Sequence, residues 1–225
     1  MKKYLILCFL GVIQLNMLAK VGFRIGAGVG LNIAHIKEKG YSSFDKPMLA
    51  FDVDIPMEIM VSRHFSIQPE IHLIQKGFML KYDGVGGIEK QWRRRNFIEF
   101  PILFKGAFQP TDNSAFGIYC GVGIGYALTN KQITKYTDGS KAKEKFPYDT
   151  NLDDGIAYNR LDVTMPIGID YHIDVKEQLG LFVDMRYNVD LSRNIKYRPK
   201  DNSAANYYYR NFVITMGFSF RTKRD

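Results

Sequence analysis

Apolar and polar residues alternate with a period of two through most of the chain. The alternation is clearest from Leu161 to Ile173, where every odd position is apolar and every even position is polar, small or proline. Successive side chains of a β-strand point to opposite sides, so this pattern predicts a strand with two different faces. Such stretches occur eight times, at 23–35, 51–61, 65–82, 96–108, 116–128, 161–173, 179–191 and 212–220. The fold is therefore predicted to be all-β.

The predicted connections alternate between long and short. Long connections are expected at 37–47, 83–92, 130–156 and 192–206, and short ones at 62–64, 109–115 and 174–177. Barrels of the bacterial outer membrane have an even number of strands, short periplasmic turns and longer outer loops. The pattern therefore predicts an eight-stranded antiparallel up-and-down transmembrane β-barrel.

Two barrel types fit eight alternating strands, and they differ in the position of the apolar face. A soluble lipocalin-like binder has its apolar face inside, whereas a membrane barrel has it outside. Here the apolar face lacks charge over about ten residues per strand, which is the length of a tilted membrane span. Aromatic residues also collect at strand ends, as in the girdles of membrane barrels. We expect Tyr207, Tyr208 and Tyr209 at the outer interface, and Phe65, Phe108, Phe116 and Phe220 at the periplasmic one.

The polar faces carry opposite charges that are able to pair across a narrow lumen. The predicted network consists of Arg24, Asp52, Asp54, Glu58, Glu70, Glu99, Lys105, Asp162, Asp184 and Arg186, with Lys76, Arg160, Asp170, Asp190 and Arg221 as further inward residues. Frequent glycines on these faces leave room for long side chains. Eight strands enclose a space that side chains just fill, so we expect a lumen closed by charge pairs. A small pore lined by the same residues is the alternative.

The first residues form a separate segment. Lys2 and Lys3 precede an apolar run from Tyr4 to Leu15, and Ala19 offers a small residue for cleavage, which is the layout of a secretory signal peptide. We predict a signal peptide at 1–19 and one barrel domain at 20–225. Its removal leaves Cys120 as a lone cysteine, which cannot form an intrachain disulfide.

Four short stretches form a recognisable set. They are Gly22-Phe23-Arg24-Ile25-Gly26, Ile67-Gln68-Pro69-Glu70 with Lys76-Gly77, Ile98-Glu99-Phe100-Pro101-Ile102-Leu103-Phe104-Lys105, and Gly217-Phe218-Ser219-Phe220. In these stretches the chain resembles the PorT-like outer-membrane β-barrel family of Bacteroidota. The resemblance covers about residues 20–222 and implies the eight-stranded fold. The protein that gives the family its name assists secretion, but its distinctive N-terminal segment is not seen here, so only the fold is carried over.

Two basic segments are candidate contact sites at the outer side. Arg93, Arg94 and Arg95 follow Trp92 at the outer end of the fourth strand. Arginine side chains suit phosphate oxygens, so these three are a possible contact with lipopolysaccharide or another outer-membrane lipid. A solvated or snorkelling interface cluster is an equal alternative. The long connection 130–156 is rich in lysine and aspartate and is the best place for a protein partner, or is a charged loop without one.

Catalysis has weak support. The four histidines lack metal-ligand spacing, and a rim site of His35 with Asp153, Asp154 or Ser42 has no spacing that specifies its geometry. The glycines at 26, 28 and 30 and at 121, 123 and 125 continue strand faces instead of forming a nucleotide loop. The basic residues behind the net charge of +8 are scattered. No catalytic residue, metal, cofactor or nucleic-acid partner is predicted.

The sequence therefore predicts a non-enzymatic outer-membrane barrel. Its role would be surface interaction or envelope integrity, carried by outer loops on a scaffold with a closed lumen. The alternatives are an accessory barrel of a secretion system and a small pore. An outer-membrane enzyme with a rim site and a soluble lipocalin-like binder are less favoured.

Overall fold

The computed structural model describes residues 22–38, 45–111, 113–148, 156–197 and 205–222. Besides a short 3₁₀ turn at Val85–Gly87, the regular elements of the described residues are all strands. In chain order they are β1 (Gly22–Glu38), β2 (Asp45–Lys46), β3 (Met48–Met60), β4 (Phe65–Lys81), β5 (Ile88–Thr111), β6 (Ser114–Tyr136), β7 (Lys141–Lys145), β8 (Ile156–Tyr158), β9 (Leu161–Asp174), β10 (Leu179–Asp190), β11 (Ile195–Tyr197) and β12 (Ala205–Arg221).

Eight of these strands form a closed ring in the order β1-β3-β4-β5-β6-β9-β10-β12. Every neighbouring pair is antiparallel, and β12 pairs back with β1 to close the ring. Neighbours in the ring are therefore consecutive long strands of the chain. This confirms the predicted eight-stranded antiparallel up-and-down barrel.

The two faces of the ring differ as the alternation predicts, with the apolar side chains outside. Ile118 and Met216 are each 61% exposed, whereas Asp52 and Asp162 on the other face are buried. This arrangement contradicts the lipocalin-like alternative, because that barrel would bury the apolar face. Phe65, Phe108, Phe116 and Phe220 are exposed near the short turns, as expected for an interfacial girdle.

Tyr209 differs from the expectation for the outer girdle. It is 0% exposed and belongs to an apolar cluster inside the barrel. Its position alternates with the outward residues Phe212 and Ile214, so the ladder itself turns it inward. Tyr207 and Tyr208 are partly exposed beside it.

Close packing around the inward charges depends on glycine. A Cβ added at Gly117 would overlap the carboxylate of Asp170 and lie 2.6 Å from Lys105 Cε. A Cβ at Gly168 would overlap the hydroxyl of Tyr119. These glycines thus provide the room that the sequence suggested.

The strands extend further on the outer side than the sequence predicts. The connection expected at 83–92 is a short turn between β4 and β5, in which Gly84, Gly86 and Gly87 adopt positive φ angles of 90°, 62° and 73°. The long connection expected at 130–156 holds the end of β6, a tight turn and β7, so its described part is a hairpin instead of an open loop. Ladder pairing continues here although the hydrophobic alternation has ended.

The outer ends of β4, β5 and β6 form, with β7, an outer sheet that leans over the barrel mouth. Asn32, an inward residue of β1, donates from Nδ2 to the backbone oxygen of Gln75 at 2.8 Å. Trp92 packs against Ala34, Met48 and Ala50, which belong to the inner face of β1 and β3. The outer sheet therefore covers part of the opening.

The expected signal peptide stays a prediction, because residues 1–19 lie outside the described residues. Within the described residues, no helix is long and apolar enough to span a membrane.

Candidate functional site

The barrel interior is filled by ion pairs that join strands on opposite sides of the ring. Arg186 of β10 faces Glu70 of β4, with Nη1 2.6 Å from Oε2 and Nη2 2.9 Å from Oε1. Its Nε also lies 3.3 Å from Asp184 Oδ1 and donates to the Tyr119 hydroxyl at 3.0 Å. That hydroxyl in turn donates to Asp184 Oδ2 at 2.5 Å. Since β4 and β10 are four positions apart in a ring of eight, this group spans the lumen.

A second group is centred on Lys76. Its Nζ lies 2.7 Å from Glu99 Oε1, 2.7 Å from Asp162 Oδ2 and 2.8 Å from Asp190 Oδ1. Asn194 donates to both aspartates, at 3.1 Å and 2.7 Å. One buried ammonium group therefore holds three carboxylates contributed by three strands.

A third group lies toward the end that carries the short turns, which is the periplasmic end by the usual rule. Lys105 contacts the carboxylates of Glu58, at 3.1 Å, and Asp170. Arg24 lies 2.9 Å from Glu58 on its other side, so Glu58 joins the two cations. His172 contacts Asp170 at 2.7 Å.

The carboxylates of Asp52 and Asp54 differ in their partners. Asp52 contacts His72 and accepts a hydrogen bond from Thr215 Oγ1 at 3.0 Å. Asp54 is 2% exposed, and its Oδ1 has no hydrogen-bond partner among the described residues. Asp54 lies in the lumen, as the alternation along its strand predicts, but no cation of the described chain is within ion-pair distance of it.

An apolar and aromatic cluster, which we call the outer cap, lies in the barrel on the outer side of the Lys76 group. The Arg95 guanidinium lies 4.8 Å from the ring centre of Phe97, 5.3 Å from Tyr148 and 5.8 Å from Tyr209. It donates to the backbone oxygens of Asn159 and Asn194. The cap thus binds β5 to the outer segments next to β8 and β11.

The three arginines proposed for lipopolysaccharide are divided between two faces. Arg95 is 1% exposed inside the cap, and Arg93 stacks at 4.2 Å over Phe146 and bonds to the Tyr158 hydroxyl. Arg94 alternates with them and lies on the opposite face, in register with Lys131. The expected three-arginine surface is therefore reduced to Arg94, because neighbouring residues of a strand point in opposite directions.

The other predicted inward residues are distributed as follows. Arg24, Asp52, Asp54, Glu58, Glu70, Glu99, Lys105, Asp162, Asp184 and Arg186 are all buried, as are Lys76, Asp170 and Asp190. Arg160 instead lies at the rim, where Nη1 donates to the Tyr126 hydroxyl at 2.7 Å, and Arg221 pairs with Asp174 at 3.0 Å near the periplasmic end. His72, His172 and Tyr119 were not singled out from the sequence, although each occupies an inward-facing position in the alternation of its strand.

The residues considered for catalysis do not form a described site. His35 is partly exposed on β1 and lies in register with Arg210. Ser42, Asp153 and Asp154 lie outside the described residues. Within the described chain, no group of three or more histidine, cysteine or carboxylate residues is arranged to hold a metal ion.

A closed ring of strands with lipid-exposed apolar residues and a charged, filled interior defines a transmembrane β-barrel. The chain belongs to the family described as "Outer membrane protein beta-barrel domain", whose model matches residues 14–196. It is an outer-membrane protein.

Solved structures of other outer-membrane proteins are similar to this chain over most of its length. The attachment invasion locus protein Ail of Yersinia pestis is 11% identical, with a TM-score of 0.41, over 88% of this chain and 98% of that chain. OprG of Pseudomonas aeruginosa is 12% identical, with a TM-score of 0.47, over 90% and 96%. A major outer membrane protein of Thermus thermophilus is 9% identical, with a TM-score of 0.48, over 90% and 99%. No curated protein matches the sequence.

Proposed function

We propose that the protein is a non-enzymatic barrel with a closed lumen that acts at the cell surface. Its partners there are outer-membrane lipid, in particular lipopolysaccharide, or a protein that meets the outer sheet. The consequence for the cell is envelope integrity. A role for the lumen as a pathway is disfavoured by the ion pairs that cross it.

The observation that carries this proposal is the set of contacts between opposite strands. Arg186 to Glu70 and Lys76 to Asp190 each join β10 to β4 across the ring. Removing one member of such a buried pair leaves an uncompensated charge, so the groups hold each other in place. Strand β7 at the edge of the outer sheet, in contrast, is exposed along its whole length.

We also place the chain in the PorT-like group of Bacteroidota, on the four sequence stretches described above. This finer assignment makes an accessory role in secretion the second candidate. It rests on resemblance, and it makes a separate prediction about secreted proteins.

A strain that lacks the protein tests the proposal. We expect it to become sensitive to detergents and large antibiotics while its secreted proteins are unchanged, and we expect the wild-type chain and the His35→Ala variant to restore it equally. The matched control is His64→Ala, which replaces an exposed histidine in a periplasmic turn. Failure of His35→Ala alone would point to a rim enzyme. Loss of secreted proteins from an intact envelope would favour the secretion role.

A further inference from the structure

One face of the outer sheet is strongly basic. Strand register places Arg94, Lys131 and Lys145 side by side on β5, β6 and β7, and places Lys90, Lys135 and Lys141 side by side further out. Directly opposed residues of antiparallel strands share a face. We call this the basic face, consisting of Lys90, Arg94, Lys131, Lys135, Lys141, Lys143 and Lys145.

Among the described residues, the basic face has little negative charge to balance its seven cations. In the described chain, its ion pairs all go to Glu89, which lies 3.2 Å from Lys90 Nζ and 2.5 Å from Lys135 Nζ. Glu144 is in register with Gln132 and so belongs to the opposite face. Like charges directly opposed across strands destabilise a sheet. An external anion would remove this repulsion.

Protection of a sheet edge explains only part of this charge. In the part of the chain that is described, β7 pairs with β6 alone and forms an edge, and lysines on edge strands prevent unwanted pairing. That role needs charge only on β7. It does not account for Arg94 and Lys131, which lie on the inner strands and face the same side.

The height of the basic face matches the headgroups of the outer leaflet. Outward residues of β6 are exposed and apolar from Phe116 to Leu128. Twelve residue steps of about 3.3 Å, tilted by about 45°, span roughly 28 Å, which is close to the thickness of the hydrocarbon core. Lys131 follows three residues later and is exposed. Its ammonium group therefore lies just outside the hydrocarbon.

Trp92 lies in the middle of the same face. It is in register with Ile133, which is in register with Lys143, between the two rows of cations. The indole ring packs against Ala34, Met48 and Ala50 at the barrel mouth, so this part of the face is covered. The exposed cations of the basic face are Lys131, Lys141, Lys143 and Lys145, and these are the ones open to a phosphorylated glycolipid.

We propose that the basic face binds the phosphate groups of lipopolysaccharide in the surrounding outer leaflet. This site rests on the proposed function, because it requires a barrel that acts through its outer surface. It includes Arg94 but not Arg93 or Arg95, and most of its charge comes from β6 and β7. Lysine ammonium groups bind phosphate as point charges and need no fixed geometry.

Purified protein in a neutral detergent is titrated with rough lipopolysaccharide, and with the same lipopolysaccharide after enzymatic removal of its phosphates. The single tryptophan of the chain, Trp92, reports binding by fluorescence. We compare the wild type with Lys143→Gln/Lys145→Gln. The matched control is Arg63→Gln/Lys176→Gln, which removes two exposed charges from the periplasmic turns. Heat-dependent mobility in SDS shows that each variant is folded.

We expect the phosphorylated form to bind, with affinity falling as salt is raised. Each lost lysine should weaken binding about fivefold, and the double variant about 25-fold, while the control binds as the wild type does. Equal binding of the dephosphorylated form, or equal weakening in both double variants, would overturn the site. So would tighter binding of a soluble acidic polysaccharide.

The outcome is separable from that of the proposed function. If the wild-type protein restores the envelope but does not bind phosphorylated lipopolysaccharide, the site alone is overturned. Failure of the wild type to affect the envelope would overturn the function even where the phosphorylated lipid binds.

Discussion

The guanidinium group of Arg186 spans both carboxylate oxygens of Glu70 across the lumen, at 2.6 Å and 2.9 Å. Bidentate pairs of this kind fix geometry as well as charge. Because β10 and β4 lie on opposite sides of the ring, the pair connects the two sides of the barrel through its lumen. It also occupies part of the cross-section that a pore would have to leave open.

Loss of Glu70 alone should be costly. Glu70→Gln leaves Arg186 buried with reduced compensation, and we expect a loss of about 3–5 kcal/mol in the free energy of unfolding. Urea titration in detergent, followed by Trp92 fluorescence, measures it. Glu70→Met/Asp184→Asn/Arg186→Met removes all three charges of the group and should recover much of the loss, because buried ion pairs are replaceable by packed uncharged residues. A triple variant that is less stable than Glu70→Gln would refute this account of the group.

Lys76 should be the most sensitive position of the lumen. Lys76→Met leaves Glu99, Asp162 and Asp190 without their shared cation, so we expect a loss above about 3–5 kcal/mol and partial recovery in acid, where carboxyl groups take up protons. Lys176→Met, in an exposed turn, should change stability by less than about 0.5 kcal/mol. Urea midpoints at neutral and acidic pH compare the two. Equal tolerance of both changes would contradict the central role of Lys76.

Arg95 and Arg94 are neighbours with opposite roles. Arg95→Ala removes a buried guanidinium from the oxygens of Asn159 and Asn194, so we expect a loss of about 2–3 kcal/mol and faster hydrogen exchange at the outer cap. Arg94→Ala should leave stability nearly unchanged but weaken lipopolysaccharide binding. If Arg94→Ala lowered stability and Arg95→Ala weakened lipopolysaccharide binding instead, the two residues would lie on the opposite faces of β5 from those described.

Glu89 limits the charge of the basic face. The hydrogen bond from Lys135, with a smaller effect of Lys90, lowers the pKa of Glu89 below the ordinary range of a glutamate, so this carboxylate stays charged until the solution is strongly acidic. We therefore expect Glu89→Gln to tighten binding of lipopolysaccharide about fivefold at neutral pH. The difference from the wild type should disappear as the pH falls through the lowered pKa. Weaker binding by this variant would contradict an anion site.

Much of the barrel could be predicted from the alternation of residues, because lipid and a narrow lumen impose opposite polarity on successive positions. The eight strands and the inward parity of Glu70 and Arg186 follow from that. The partner of each charge did not follow, since pairing depends on the stagger of strands around the ring. Asp54 shows this, because it faces inward as the alternation predicts but has no cation within ion-pair distance among the described residues.

The outer sheet was harder to predict, for a local reason. The ladder between β5 and β6 shifts register beside Asn96 and Phe97. Outward positions of β6 are even-numbered up to Leu128 but odd-numbered from Lys131. If the even-numbered alternation were continued beyond this bulge, Lys131 and Lys135 would be assigned to the inside of the barrel. Both faces are also polar here, so the sequence suggested a loop where the backbone is paired.

Conductance of the purified barrel in planar lipid bilayers tests the central claim most directly. The lumen is crossed by the Arg186 and Lys76 groups and capped around Arg95, so the wild type should produce no stable conductance steps at either polarity. Folded protein, identified by its mobility shift on heating in SDS, must be present in the same preparation. Reproducible steps that change when Arg186 or Lys76 is neutralised would contradict a closed barrel and identify a small pore.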